Sequence, residues 1–172
     1  GSTPGPGGNS ALNVKFGPSG CLSEAGDARV LVRLGGHTVY RQIATITQSD
    51  MVINPAKQSE TVISSVYPPA ETYDGFVYVL RCPEDSGRML TLRVSPTQSI
   101  LTDTGWCIAS HLQPATQRVA ILNRRIFRRG GSRRDKLSIA MRPFFVIKEY
   151  SMVRDRIWEL HTDMNSGFSA NG

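Results

Sequence analysis

The 172-residue sequence has no apolar run that approaches the roughly 18 to 20 residues of a membrane-spanning helix. Its three cysteines, Cys21, Cys82 and Cys107, are an odd number at wide spacing, and no Asn-x-Ser/Thr sequon is present. A disulfide-stabilised secreted domain usually has an even number of cysteines in a short chain. We therefore expect no membrane span and an intracellular location, in a compartment that the sequence does not specify.

The sequence also lacks the motifs of the common catalytic, metal and cofactor sites. It has no zinc-type pair of cysteines or histidines, no G-x-S-x-G elbow and no glycine-rich phosphate loop. Cys107 and His111 are four residues apart, but the nearby Pro114 argues against a helix that would bring them to one face. Cys21 follows a segment rich in glycine and proline, which is a poor place to hold a nucleophile in a fixed position. We predict a non-catalytic protein without metal or cofactor.

Composition divides the chain into three parts. Residues 1–12 begin with GSTPGPGGNS, which has few side chains whose burial could offset the entropy lost on ordering. Residues 165–172 are similarly small and polar. We expect a flexible leader over 1–12, a single globular domain over 13–164 and a flexible tail over 165–172.

The dominant hydrophobic period within this domain is two, which is typical of strands with one buried face. Three antiparallel hairpins are predicted from it. The first joins residues 28–34 to 37–47 through Gly35-Gly36. The second joins 76–82 to 90–94, and the third joins 119–128 to 137–142.

Two helices are predicted beside the strands. Ser95-Pro96 is typical of a helix N-terminus, and Gly105 would end this short helix. Residues 148–164 place apolar side chains three or four positions apart with charged residues between them. The apolar set is Tyr150, Val153, Ile157, Leu160 and Met164, flanked by Trp158. The predicted fold class is α+β, mostly antiparallel β, with a curved sheet or small barrel and one amphipathic C-terminal helix.

The order of strands followed by a terminal helix that carries Trp158 resembles the pleckstrin-homology-like modules. The resemblance concerns element order alone, and it implies an architecture in which a helix packs across a small barrel. It brings no binding motif with it, because one fold can carry many functions.

The net charge is concentrated in one short segment. The whole chain has 20 Lys plus Arg against 14 Asp plus Glu, a net charge of +6. Residues 124–136 (RRIFRRGGSRRDK) contain six Arg and one Lys against one Asp, so the remainder has 13 basic and 13 acidic residues. A neutral domain with one cationic segment indicates a local anion-binding site.

We predict that this segment is an Arg-rich hairpin that binds the phosphate backbone of RNA or DNA, since guanidinium groups donate bidentate hydrogen bonds to phosphate. Phe127 is expected to stack on a base or to anchor the hairpin. The predicted nucleic-acid-binding residues are Arg124, Arg125, Phe127, Arg128, Arg129, Arg133, Arg134 and Lys136. Three alternatives stay open: a solvated loop, an acidic protein partner, and a phosphoinositide headgroup.

Overall fold

The computed structural model describes residues 10–16, 22–23, 28–55, 57–67, 73–155 and 157–172. In these ranges the chain forms fifteen strands and three short 3-10 turns, and it forms no α-helix. None of the described turns has the length or apolarity to cross a bilayer. The strands are β1 (Ser10–Lys15), β2 (Leu22–Ser23), β3 (Arg29–Leu34), β4 (His37–Gln42), β5 (Met51–Asn54), β6 (Ser59–Tyr67), β7 (Tyr73–Pro83), β8 (Met89–Val94), β9 (Ser99–Thr102), β10 (Gly105–Ile108), β11 (Val119–Arg129), β12 (Ser132–Arg142), β13 (Phe145–Asp155), β14 (Ile157–Thr162) and β15 (Phe168–Asn171). The 3-10 turns are Ile43–Thr45, Ala109–His111 and Asp163–Asn165.

The strands pair antiparallel along one path, β10-β9-β11-β1-β15-β3-β5-β6-β14-β2-β8-β7-β13. β12 adds to β11, and β4 adds to β3. The described strands form several sheets and do not close into a barrel. The α+β class and the small barrel are therefore wrong, because the protein is nearly all β.

β1 is the fourth strand of this path and lies between β11 and β15. Leu12 pairs with Ile121 on one side and with Ala170 on the other, and its side chain is fully buried. The expectation of a flexible leader is thus wrong for residues 10–12. The flexible tail is wrong for β15, where Phe168 and Ala170 are buried. A strand of four to six residues is ordered here because strands pair with it on both sides.

The core lies on both sides of the central strands. The larger cluster takes Leu12 from β1, Val30 from β3 and Phe168 from β15, together with β7 and β8. A smaller cluster lies on the opposite side of β3, because Leu31 alternates with Val30. It consists of Leu31, Ile53 and Leu122, with Tyr40, Leu137 and Ile139 packed against it.

All three predicted hairpins are confirmed. β3 pairs with β4, β7 with β8, and β11 with β12. Gly35 turns the first hairpin with φ +62, a backbone conformation that favours glycine. The predicted helix that starts at Ser95 is wrong, since Pro96 and Thr97 form a turn that leads into β9.

The C-terminal amphipathic helix is also wrong. β13 and β14 occupy its residues, apart from Arg156 and the 3-10 turn that includes Met164. The apolar residues that suggested the helix are three or four positions apart, and residues three apart, such as Ile157 and Leu160 of β14, lie on opposite faces of a strand. The segment also contains five β-branched or aromatic residues, a type that favours strands: Tyr150, Val153, Ile157, Trp158 and Thr162. Without the helix, the element order that resembled pleckstrin-homology-like modules is absent, and that architecture is withdrawn.

β13 ends the pairing path and contacts β7 along its length. Several of its large side chains are exposed, namely Phe145, Ile147 and Tyr150. Tyr150 contacts Phe76 of β7 edge to face, at 5.3 Å between ring centroids. Lys148 places its ammonium 4.2 Å from the centroid of the same Phe76 ring.

Two substitutions distinguish the strand from the helix. A helix would have buried both Leu160 and Met164, whereas here Leu160 is 3% exposed and Met164 is 93% exposed. We expect Leu160→Ala to lower the free energy of unfolding by about 2 to 5 kcal/mol, because it leaves a cavity in the core. Met164→Ala should change it by less than about 0.5 kcal/mol. Urea unfolding measures both, and a large loss from Met164→Ala would contradict the strand assignment.

Candidate nucleic-acid interface

The Arg-rich segment is the distal part of the β11–β12 hairpin. The strands pair residue by residue from Val119↔Arg142 to Arg129↔Ser132, and Gly130 and Gly131 make the turn with φ +59 and +83. We call residues 124–136 the arm. Because opposite residues of an antiparallel pair project to the same side, this register assigns each arm side chain to one of two faces.

The inner face of the arm packs toward β4. It carries three cross-strand pairs, Arg124 with Leu137, Ile126 with Asp135, and Arg128 with Arg133. Arg124 is buried, and its guanidinium donates a 2.8 Å hydrogen bond to the carbonyl oxygen of Thr38. The same guanidinium lies 4.9 Å from the centroid of the Tyr40 ring, a cation–π distance. Burial lowers the pKa of Arg124 and raises that of Tyr40, and the attraction between the two partly offsets both effects.

Asp135 joins the arm to β4. Its carboxylate accepts hydrogen bonds from the backbone N–H and the hydroxyl of Thr38, at 2.7 and 2.8 Å. It also accepts a 2.9 Å bond from Nε of Arg133, whose guanidinium donates in turn to the Thr38 carbonyl at 2.7 Å. Burial alone would raise the pKa of Asp135, but these hydrogen bonds outweigh it, so the pKa lies below its ordinary value. Asp135 therefore holds the arm as a charged carboxylate.

The outer face of the arm is cationic and exposed. It carries Arg125 opposite Lys136, Phe127 opposite Arg134, and Arg129 opposite Ser132. The Arg125 guanidinium lies 5.7 Å from the centroid of the Phe127 ring, and 46% of the Phe127 surface is open to solvent. No acidic residue lies on this face of the arm. A single surface thus combines four positive charges and one exposed aromatic ring.

The eight residues predicted from the sequence divide into three groups. Five of them share the outer face: Arg125, Phe127, Arg129, Arg134 and Lys136. Arg128 is exposed near the tip, on the inner side. Arg124 and Arg133 donate hydrogen bonds to the carbonyl oxygen of Thr38, so their guanidinium groups are less available to a ligand than those of the outer face. Thr38 lies 97 residues from Asp135 and was not predicted from the sequence. The only signal was the single acid within the basic run.

The cysteines differ in their environment. Cys82 is buried, its thiol donates a 3.2 Å hydrogen bond to the Pro143 carbonyl, and burial raises its pKa to about 11. A thiol with a raised pKa is a poor nucleophile. Cys107 is half-buried, and Cys21 lies outside the described residues. Within the described residues, no three His, Cys, Asp or Glu side chains are grouped as a metal site requires.

The fold is shared with a solved protein. No protein-family model matches this chain, and no curated protein matches it. The crystal structure of a mutant of an Ssp DnaB mini-intein variant superimposes with a TM-score of 0.57 at 16% identity. The match covers 88% of this chain and 90% of the mini-intein. At this identity the similarity establishes a common fold and nothing about individual residues.

We predict that Asp135→Asn weakens the attachment of the arm. The substitution removes the charge that four donor groups of Thr38 and Arg133 share, and we expect it to lower the free energy of unfolding by about 1 to 3 kcal/mol at pH 7. Because the folded-state pKa is depressed, this contribution is complete above the ordinary carboxyl pKa of 3.8 and is lost as the pH falls through the lower folded value. Urea unfolding of both proteins between pH 7 and pH 3 should show the difference shrinking at the acidic end.

Asp85→Asn is the matched control. Asp85 also pairs with an arginine, Arg142, but its side chain is 78% exposed. An exposed pair contributes little, so we expect a change below about 1 kcal/mol. Equal effects of the two substitutions, or a difference that does not change with pH, would contradict the role assigned to Asp135.

Proposed function

We propose that the protein binds nucleic acid through the phosphate backbone, using the outer face of the arm. The observation that carries this proposal is the strand register, which gathers Arg125, Arg129, Arg134 and Lys136 around the exposed Phe127. The inner-face residues Arg124 and Arg133 act differently, since they fix the arm on β4 and orient its outer face. The protein functions in this proposal as a binding module and not as an enzyme.

The concentration of positive charge on the outer face supports a role in binding an anionic ligand. Like charges on one exposed surface repel one another, so the fold gains no stability from placing four of them together. Within the described residues, these four side chains form no ion pair with an acid. Guanidinium groups are suited to phosphate oxygens, and an exposed aromatic ring offers a surface on which any base can stack.

The geometry favours a linear polyanion over a compact one. Arg125 and Arg129 are four residues apart on one strand, which corresponds to about 13 Å at 3.3 Å per residue. A phosphoinositide headgroup would need its cations gathered at one point, whereas the arm spreads them along a line. A protein partner would need an apolar centre within the charged surface, and Phe127 alone provides little of one.

Removing two outer-face charges should test this proposal. We expect Arg129→Ser combined with Arg134→Ser to weaken binding to a fluorescent single-stranded RNA, measured by anisotropy between about 50 and 200 mM salt. Each lost phosphate contact should reduce the slope of log K against log salt by about 0.7, or by about 0.9 on duplex DNA. The folded state should be unaffected, because both side chains are exposed.

The matched control removes the same charge elsewhere. Lys57→Ser combined with Arg118→Ser alters two exposed cations outside the arm and should leave the salt slope unchanged. Binding that does not depend on salt, or equal losses from both double variants, would overturn the proposal. Tight binding to phosphoinositide vesicles without binding to RNA or DNA would favour the headgroup alternative.

A second candidate function, cleavage of the protein's own chain, is proposed from the fold shared with the mini-intein along 88% of this chain. In such a cleavage the Cys21 thiolate would attack the carbonyl carbon of Gly20, the backbone amine of Cys21 would leave, and an added thiol would then open the resulting thioester. The raised pKa of Cys82 argues against that thiol as the nucleophile.

Intact mass spectrometry tests the second candidate. If it is right, incubation near pH 8 with an added thiol should convert the chain into two fragments separated at Gly20-Cys21. Cys21→Ala should then keep the original mass, while the control Cys107→Ala should still be cleaved. A single unchanged mass for the unaltered protein would exclude this candidate and leave the binding proposal untouched.

A further inference from the structure

A cavity lies where the outer face of the arm meets the β7–β8 turn. Its volume is about 360 Å³, and it is lined by residues of the β7–β8 turn and of four strands, β1, β7, β11 and β12. On β11 the lining residues are Ile121, Asn123, Arg124 and Arg125, of which all but the inner-face Arg124 alternate along the strand and belong to the outer face. Arg125 is thus shared between the cavity and the cationic surface of the arm.

The opposite wall is the turn between β7 and β8. The backbone N–H of Glu84 donates to the carbonyl of Arg88 at 2.8 Å, and that of Gly87 donates to the carbonyl of Glu84 at 3.0 Å. Arg142 pairs with Asp85 across the cavity, at 2.5 Å. The turn that forms this wall is therefore stabilised by hydrogen bonds within itself, and an ion pair joins it to β12.

The lining chemistry suits a small molecule that has both an apolar ring and an anionic group. Pro83 provides exposed apolar surface, Ile121 is a core residue of which 2% is exposed, and Asn123 and Ser138 provide an amide and a hydroxyl. The turn also places the carboxylates of Glu84 and Asp85 in the lining, and Asp85 is paired with Arg142. Arg88 and Arg125 add two guanidinium groups that form no ion pair with a described acid. Clefts of about 300 Å³ and above are large enough for small ligands, but a cavity of this size has no room for a base pair.

We propose that this cavity binds one unpaired nucleotide, with its base against Pro83 and Ile121 and its phosphate toward Arg88 and Arg125. The proposal rests on the proposed function, since the strand that supplies the nucleotide lies along the outer face of the arm. It makes that function more specific, because only single-stranded nucleic acid can present an unstacked base. A duplex would reach the arm and leave the cavity empty.

Filling the cavity should separate its role from that of the arm. Ser138 lies opposite Asn123, and its exposed side chain forms no hydrogen bond within the described residues, so Ser138→Phe occupies the cavity without breaking such a bond. We expect this substitution to weaken binding of a single-stranded RNA by about tenfold, a typical loss for one stacked base. Binding of a duplex of the same length should change by less than about twofold. Ser110→Phe, on the exposed Ala109–His111 turn outside the cavity, is the matched control and should change neither.

Adenosine 5′-monophosphate is the direct probe, measured by calorimetry, with inorganic phosphate at equal ionic strength as its comparison. Binding of the nucleotide that Ser138→Phe abolishes would support the cavity assignment, even if no RNA or DNA strand bound. If single strands bind the arm but Ser138→Phe has no effect, the cavity proposal is overturned and the proposed function stands. If neither the nucleotide nor a strand binds, both are overturned.

Discussion

The position of β1 is the constraint on which the rest of the structure depends. This strand fills the space between β11 and β15. The buried side-chain amide of Asn13 forms hydrogen bonds with both of these neighbouring strands. The Asn13 side chain donates to the carbonyl of Ala120 at 3.0 Å and accepts from the hydroxyl of Ser169 at 2.7 Å. An unpaired amide at this depth would cost stability, so these bonds fix the register of three strands together. The base of the arm is the continuation of β11 beyond this point.

The arm is held rigidly on one side so that it can present charge on the other. Arg133 and Asp135 bind Thr38, and Leu137 packs against the smaller core cluster. These contacts remove conformational freedom from the arm in the free protein, which would lower the entropy lost on binding of the proposed nucleic acid. A loose Arg-rich loop of the same composition would carry the same charge without a defined surface. The division of the arm into an anchoring face and a cationic face follows from the two-residue period of a strand.

The sequence predicted the features that depend on neighbouring residues. The three hairpins were found because alternation and turn glycines are local signals, and the arm was found because its charge is confined to thirteen residues. The strands β1 and β15 were missed because their order comes from partners more than a hundred residues away, as in the Asn13–Ala120 bond. The C-terminal helix was predicted in error, since Leu160 and Ile157 fit a helical spacing as well as they fit one strand. The anchoring of Asp135 depends on Thr38, which is distant in the sequence. Its only sign in the sequence was the single acidic residue within the basic segment.

The edge of the structure formed by β13 has a consequence for the protein in concentrated solution. Among the described strands β13 pairs with β7 alone, so its other side presents backbone donors and acceptors that could pair with a second chain. Exposed Phe145 and Ile147 would add apolar contact to such a pairing. The charged side chains of Lys148 and Glu149 interrupt that apolar run, and charges on an edge strand oppose the stacking of strands into aggregates. We therefore expect Lys148 and Glu149 to oppose association of the protein through this edge at high concentration.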